Sequence, residues 1–398
     1  MNQLLDYNDA LSAALTAISA TKKQENVSLI EAAGRVLGDS INADRDLPPF
    51  NRAQMDGYAL RAAEVGELTS WPVVETVSAG SNGKLDVPVG SCVKIATGAP
   101  LPADVDTVIQ HELSDRNDPV SFTIDSIKQG NAVHPYGSDA KLGDHLVAKG
   151  TIIKAQHIAI AATVGKAKIA VIRRPCAIVL TSGDEILPAD SPVEDHQIRN
   201  SNGPMLLELL KRIGAEPTQH IHIVDDAKLT TEAVRDAIAN SDLVITIGGI
   251  SAGDRDFFPP AFEELGVKAT LRRAAIQPGK PIYVGQAPDN CVVVGLPGNP
   301  VSALSCTCIF IWPIVRKMLG LDPLLPWRKV ELSHTVKANP KRRAFRPAIL
   351  LNDGRAEVPN WAGSGDISHT APTHGLLELP IKEEAVIEGT QLRFLPYP

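Results

Sequence analysis

Three short segments combine glycine, carboxylate and turn residues in a way that suits an anionic ligand. Thr181-Ser182-Gly183-Asp184-Glu185 closes one apolar run. Gly248-Gly249-Ile250-Ser251-Ala252-Gly253 closes a second and is trailed by Asp254 and Asp256. Leu296-Pro297-Gly298-Asn299-Pro300 closes a third and leads into a helical pattern from Ser302. Glycine lets a ligand approach the backbone, and a helix N-terminus aims N–H groups at negative charge. The chemistry expected is a phosphate or phosphoester cleft rimmed by carboxylates. Carboxylates repel phosphates unless a cation stands between them, so the pattern predicts a Mg²⁺-dependent site. One glycine-rich strand-to-helix turn is ordinarily only a turn; three in one domain, two of them followed by acids, point to function. No G-x-x-x-x-G-K-[ST], G-x-G-x-x-G or G-x-S-x-G occurs, which disfavours an ordinary NTPase, a Rossmann dehydrogenase and a serine hydrolase.

Other segments are weaker alone. Met55-Asp56-Gly57-Tyr58-Ala59 follows a proline lead-in at Pro48-Pro49-Phe50 and reads as a turn in which Asp56 bonds its own backbone. Thr97-Gly98-Ala99-Pro100 reads as a surface loop. Gln277-Pro278-Gly279-Lys280-Pro281 offers one cation in a rigid frame, useful for an oxyanion, although a solvated turn lysine is the simpler reading. His220 and His222 share one face of a strand before Asp225 and Asp226, but no third histidine is placed near them, so no structural zinc is expected.

The elements that must hold these loops follow from periodicity. Between residues 171 and 320, apolar runs at 176–181, 220–224, 242–247 and 291–294 alternate with helical patterns at 201–213, 230–239, 258–265 and 302–319. Short connections between strand and helix predict a doubly wound α/β domain with ligands outside the strands' carboxyl ends. Pro313 is expected to kink the last helix. Upstream, 9–20 has helical spacing, and Ser28-Leu29-Ile30-Glu31 is a capping box that predicts a short helix ending by Gly34 or Gly38. Short β-prone runs at 72–77, 92–96, 105–110 and 121–127 predict a small β unit, and 156–164 a helix. The tail from 328 reads as strands and turns. The expected division is 1–44 with 137–170, 45–136, 171–320 and 321–398.

The chain has 398 residues, with 44% hydrophobic, 21% charged and only 4% aromatic residues. A net charge of −7 and the scarcity of rings disfavour nucleic-acid binding. Five cysteines without a C-x-x-C read as buried free thiols in a reducing compartment. The N-terminus lacks a basic n-region, and no run approaches the ~20 apolar residues of a membrane span. A cytoplasmic protein without a membrane role is expected. Thirty prolines specify many turns singly, as in a loop-built site.

The motifs also fall in a distinctive order. Pro48-Pro49-Phe50 with Met55-Asp56-Gly57-Tyr58-Ala59, Thr97-Gly98-Ala99-Pro100, Gly137-Ser138-Asp139, Thr181-Ser182-Gly183-Asp184-Glu185 and Asn200-Ser201-Asn202 come first. Gly248-Gly249 through Asp256, Pro278-Gly279-Lys280-Pro281 and Pro297-Gly298-Asn299-Pro300 follow. In this the chain resembles the molybdopterin molybdenumtransferases, the MoeA family that includes the gephyrin E domain. The resemblance implies an elongated multidomain α/β-plus-β homodimer with a central molybdopterin-binding domain and a site at the subunit interface. It implies insertion of molybdate into adenylylated molybdopterin with Mg²⁺, releasing AMP and molybdenum cofactor. By motif it implies catalytic roles for Asp56, Asp139, Glu185, Asp225 and Asp256, with Glu185, Asp225 and Asp256 as metal ligands. Substrate contacts are implied for Thr97, Ser182, Gly183, Asp184, Gly248, Gly249, Ser251, Gly253, Pro297, Gly298, Asn299 and Pro300, and molybdate contacts for Lys280, Ser364 and Arg346. The chain departs from the family pattern at Gln277, where many members have lysine, at Phe345-Arg346-Pro347-Ala348, at Gly137-Ser138-Asp139 and at Thr373-His374-Gly375. An alternative is therefore a diverged member that binds molybdopterin as carrier or sensor without efficient metal insertion. A gephyrin-like scaffold and a molybdopterin adenylyltransferase fit the motif set less well.

Overall fold

The computed structural model describes residues 4–16, 18–250 and 256–398. By its internal contacts the chain divides into two units, Asn26–Val171 and Met1–Glu25 with Ile172–Pro398.

In Asn26–Val171 the largest sheet has four strands, β1 (Gly57–Leu60), β2 (Val73–Val77), β3 (Cys92–Ile95) and β4 (Thr107–Gln110), in the order β2-β3-β1-β4. Successive strand residues point to opposite faces. Tyr58 and Leu60 accordingly join Trp71, Cys92 and Ile109 in one core cluster, while Ala59 joins Val93, Ile95 and Val108 in another. Met55–Ala59 was expected to be a turn; instead Gly57 starts the strand, whose four residues are all buried, as suits a central position. No strand forms over 121–127, where a single isolated bridge, at Phe122, occurs. A third cluster joins Ala32, Leu37 and Ile41 to Val147, Ile153 and Ile169, with the Ala155–Thr163 helix packed on it. The capping-box contacts are made, with Ser28 N–H and Oγ donating to Glu31 Oε2 at 3.1 and 2.6 Å, but a turn follows and not the expected helix. Gly34 turns to φ +75° and donates its N–H to Ile153 O, which diverts the chain after one turn.

The second unit holds the α/β sheet. Its elements are β5 (Cys176–Ser182), α1 (Asn202–Ile213), β6 (Glu216–Ile223), α2 (Ala227–Asn240), β7 (Leu243–Ile247), α3 (Phe258–Glu264), β8 (Lys268–Leu271), β9 (Tyr283–Gln286), β10 (Val292–Leu296) and α4 (Pro300–Met318). The strand order is β6-β5-β7-β10-β9-β8. The first four are parallel, as the apolar runs imply; β9 and β8 add an antiparallel edge that was not expected. Ile178 and Leu180 face Val234, Ala237, Phe258 and Phe262 of α2 and α3, so Ala177, Val179 and Thr181 face the α1 side. Pro313 is accommodated by a π-helical stretch, Thr307–Ile311, that shifts the hydrogen-bond ladder ahead of the missing N–H. Helix α4 is long and apolar enough to cross a membrane, but 83% of its most apolar window is buried, as in a core helix.

The same unit contains the C-terminal sheet, β11 (Arg328–Glu331), β12 (Arg343–Leu350), β13 (Gly375–Leu379) and β14 (Gln391–Pro396), in the order β12-β13-β14-β11, with Ile276–Gln277 alongside β12. It closes over its own cluster of Ala344, Ala348, Leu377, Leu379 and Phe394. The N-terminal helix, Tyr7–Thr16, belongs to this unit: Tyr7 Oη donates to Ile309 O, and Arg343 binds the carboxylate of Asp6 at 3.0 and 3.2 Å. Cys92, Cys291, Cys306 and Cys308 are buried free thiols and Cys176 is half-buried; burial pushes Cys92, Cys291 and Cys308 up to about 12.

Candidate active site

Parallel strands end on one side of their sheet, and that side is where β5, β6, β7 and β10 release their loops. They enclose a cavity of about 510 Å³. Ser182, Gly183 and Glu185 come from β5, Asp225 from β6, Gly248 and Gly249 from β7, and Gly298, Asn299 and Pro300 from β10. Asp256 also lines it. The three segments singled out by glycine and carboxylate content therefore meet in one place. Another concavity of about 520 Å³, between α2 and α3, contains none of these strand-end residues.

Gly248 and Gly249 have φ of +87° and +52°, which a side chain opposes by about 1–2 kcal/mol. A Cβ on Gly249 would stand 3.2 Å from Ser182 Oγ, so this turn keeps β7's loop close against β5's. Asn202 Nδ2 donates to Gly298 O at 2.7 Å, tying α1's first turn to the β10 loop. Asn299 Nδ2 donates to Ser364 Oγ at 2.7 Å, and Val301 N–H donates to Ser364 O at 3.1 Å. The first amide of α4 is thus already engaged, so α4's end offers an anion less than an open helix N-terminus would. Glu185, Asp225 and Asp256 supply three carboxylates, against Arg199 as the only lysine, arginine or histidine on the lining among the described residues.

Among the described residues, no three His, Cys, Asp or Glu side chains form a ready-made metal cage. The carboxylates still fit one kind of ion. They are hard oxygen donors, and Mg²⁺ characteristically takes one or two carboxylates and completes its shell with phosphate and water.

The remaining expected residues are dispersed. Asp184 does not line the cavity; its Oδ1 accepts the Asp225 N–H at 3.0 Å and so fixes the loop carrying that neighbour. Pro297 precedes the lining residues, and Ser251 and Gly253 lie outside the described residues. Ser364 reaches the wall through Asn299, while its neighbours Gly365 and Ile367 line it directly. Lys280 is exposed and off the lining. Arg346 lies over the Trp361 ring at 3.9 Å, its Nε buried with no partner among the described residues, and burial lowers it to about 10. Gln277 Oε1 accepts from Asn339 Nδ2 at 2.7 Å.

Asp56, Thr97 and Asp139 belong to the Asn26–Val171 unit. Asp56 Oδ1 accepts the Thr97 N–H at 2.7 Å and the Thr97 hydroxyl at 3.0 Å, and these bonds hold its carboxyl below the usual range. Asp139 Oδ1 faces His134 Nε2 at 2.6 Å, and His134 Nδ1 faces Arg52 at 3.0 Å. A guanidinium only donates, so Nδ1 accepts and the proton sits on Nε2, donated to Asp139. That bond keeps the Asp139 carboxyl depressed. Arg52–Ala53 pairs with Val133–His134, and Ala53 also bonds backbone at Gly98 and Ala99, so the three predicted residues gather at one end of this unit.

Sequence reasoning missed Arg199, Ile186, Ile198, Gly365 and Ile367 on the cavity, and Arg52 and His134 beside Asp139. Asn200 and Asn202 stood in a quoted motif but were assigned no part in the site.

Residues 5–165 match the family described as "MoeA N-terminal region (domain I and II)", and residues 178–317 that described as "Probable molybdopterin binding domain". A molybdopterin molybdenumtransferase from a Nostoc species is 32% identical over 396 residues, covering 96% of this chain and 90% of that protein. One from Bacillus subtilis is 32% identical over 369 residues, covering 89% and 86%. The crystal structure of a molybdopterin biosynthesis MoeA protein from Pyrococcus horikoshii is similar with a TM-score of 0.86 at 27% identity, covering 99% and 100% of the two chains.

Proposed function

Because the chain belongs to the molybdopterin molybdenumtransferase (MoeA) family of molybdenum-cofactor biosynthesis, we propose that it inserts molybdate into adenylylated molybdopterin, with Mg²⁺, releasing AMP and molybdenum cofactor. The observation that carries this reading is the convergence of Gly248, Gly249 and Gly298 with Glu185, Asp225 and Asp256 on one cavity. The glycines admit a phosphoanhydride to the backbone. Glu185, Asp225 and Asp256 would hold Mg²⁺, which when bound would supply neutralisation of the phosphate charge. Arg199 supplies a direct cation to the same phosphates. Asn202 and Asn299 hold the β10 loop in register between α1 and Ser364, so the anhydride meets a pre-formed surface. Lys280, Ser364 and Arg346 are assigned to molybdate, and Ser251, Gly253, Asp184 and Pro297 to the substrate-binding loops. Asp56, Thr97 and Asp139 take part in the reaction, with the depressed carboxyls of Asp56 and Asp139 ionised at neutral pH. A cytoplasmic homodimer with an interfacial site, and the four-domain division given above, belong to this reading.

The test is release of AMP from adenylylated molybdopterin by the purified full chain, with molybdate and Mg²⁺ each omitted in turn. Folded protein that releases no AMP in the complete mixture refutes it. One observation favours a second reading, molybdopterin binding without efficient insertion: Gln277 is bonded to Asn339 and Arg346 is stacked on Trp361, so few cations are free for an oxyanion. A large gain in molybdate affinity in Gln277→Lys supports that second reading; unchanged affinity supports the first.

A further inference from the structure

Asp139 ends a row of three side chains that begins at Arg52. Arg52–Ala53 and Val133–His134 form a short antiparallel ladder in which Arg52 lies opposite His134. Residues opposed in this way have neighbouring side chains. The Arg52 guanidinium reaches His134 Nδ1 through Nε at 3.3 Å and through Nη2 at 3.0 Å. The other ring nitrogen, Nε2, lies 2.6 Å from Asp139 Oδ1. Both nitrogens of the imidazole are engaged, one as acceptor and one as donor, so the ring cannot turn over without losing both contacts.

The carboxylate is placed as firmly as the ring. Gly137 N–H donates to Pro48 O at 2.9 Å and Asp139 N–H to Leu47 O at 2.8 Å, which pins the turn on backbone. Gly137 takes φ +64°, and a Cβ there would collide with Lys141 Nζ, which pairs with Asp46 at 3.1 Å. Ser138 Oγ adds a contact to Asp139 Oδ1 at 3.2 Å. Every one of the side-chain bonds falls on Oδ1. Among the described residues Oδ2 has no hydrogen-bond partner, and half of the Asp139 side chain is exposed.

An isolated imidazole–carboxylate pair at a surface contributes little to stability. This pair is braced from its far end by a group that can only donate, and the bracing has a chemical consequence. With its lone pair given to Arg52, His134 is a donor to Asp139 and not a base. The bond from His134 is the largest cause of the depressed Asp139 carboxyl, and Ser138 and Arg52 add to it. A carboxylate held in this way is a poor proton acceptor and a good partner for a donor or a cation. We propose that Arg52 and His134 are positioning residues for Asp139, fixing Oδ1 so that Oδ2 presents one ionised oxygen to a donor or cation of the substrate complex. This rests on the reading above that Asp139 takes part in the release of AMP.

The test is AMP release by the full chain with substitutions at His134 and Arg52, together with NMR of the His134 ring nitrogens and the Asp139 carboxyl on the same proteins. A glutamine amide accepts from Arg52 and donates to Asp139, so it reproduces both contacts without an ionisable ring. Expected is a kcat loss of about tenfold in His134→Phe with KM little changed, a smaller loss in Arg52→Met, and recovery to within about threefold of wild type in His134→Gln. The Asp139 carboxyl titrates higher in His134→Phe than in wild type, and in His134→Gln as in wild type. In mildly alkaline buffer the wild-type ring carries its proton on Nε2. A kcat within about twofold of wild type in folded His134→Phe overturns the proposal, as does a loss in His134→Gln equal to that in His134→Phe, which marks a proton-transfer group. A wild-type ring protonated on Nδ1, or an Asp139 titration unmoved in His134→Phe, overturns it whatever the activity. Wild-type protein that shows the expected ring and carboxyl signals but releases no AMP overturns the reading of the reaction, and the proposal with it.

Discussion

Arg199 offers the sharpest test of how this cleft holds an anion. Among the described residues it is the only cation on a lining that carries Glu185, Asp225 and Asp256. Its Nε donates to Ser191 O at 3.0 Å, which fixes the base of the guanidinium and points no charge-neutralising carboxylate at it. A hydrogen bond to a charged group contributes about 1.5–3 kcal/mol. At 1.4 kcal/mol per decade, its loss weakens binding roughly 10- to 150-fold. Arg199 is exposed at the rim, where salt screens over about 8 Å, so the lower end, about 10- to 30-fold, is the expected cost of Arg199→Ala. Arg199→Lys recovers part of it as a point charge without the planar fork. The assay is pyrophosphate titration with Mg²⁺ at fixed ionic strength. Excess Mg²⁺ does not rescue the variant if the guanidinium touches phosphate directly. Pyrophosphate affinity within twofold of wild type in Arg199→Ala refutes the contact.

Gly57→Ala places a Cβ 1.9 Å from the Ile109 carbonyl oxygen, so β1 and β4 must part; at about 1 kcal/mol per ladder bond the expected loss is about 2–4 kcal/mol, read as a lowered urea midpoint. Arg343→Met removes one of two arginines holding the buried Glu378, together with the Asp6 pair; the expected loss is about 1.5–3 kcal/mol, and an unchanged midpoint refutes it. His220 titrates below the usual imidazole value of about 6.5, so the unfolded chain binds more protons as pH falls through that value and stability is lost on acidification. Denaturation between pH 7 and 5 is therefore expected to show a shallower pH slope in His220→Phe than in wild type, with His111, also depressed by burial, and hydrogen-bonded carboxylates such as Asp56 and Asp139 contributing to the residual slope; equal slopes refute the assignment.

The α/β half was legible because its strands are buried on both faces and read as continuous apolar runs, as in Ala177–Leu180. The antiparallel edge was not, because Lys268–Leu271 and Tyr283–Gln286 are four residues each with no clear alternation. At Ser28 the local rule was satisfied while the element failed: the hydroxyl–carboxylate exchange forms, but Gly34's bond to Ile153, more than a hundred residues away, decides the path. Gly57 misled in the opposite sense. It looked like turn punctuation, yet the close approach of the Ile109 carbonyl in a central strand is what demands glycine there. The cleft loops were readable from composition because glycine and carboxylate are local signals. Arg199, Gly365 and the Arg52–His134 pair carry none; each acquires its place only through contacts made by the folded chain.

A protein of net charge −7 gains nothing from its bulk field when it takes up an anion, so local groups must carry the binding. The phosphate half of the cleft meets this with fixed elements: four parallel strand ends, two left-handed glycines and the asparagine clamps. The candidates for molybdate have prior commitments, Ser364 to Asn299 and Arg346 to Trp361. For Arg346 those commitments are weak in sum. Stacking of a cation on an indole contributes about 0.5–2 kcal/mol. A buried donor left without a partner costs about 1–3 kcal/mol, and Nε of Arg346 is such a donor. The two nearly cancel, so an oxyanion that satisfies Nε need not overcome the stack. Oxyanion affinity then turns on whether other cations reach the same place, and at Gln277, bonded through its amide oxygen to Asn339, the chain has none to offer.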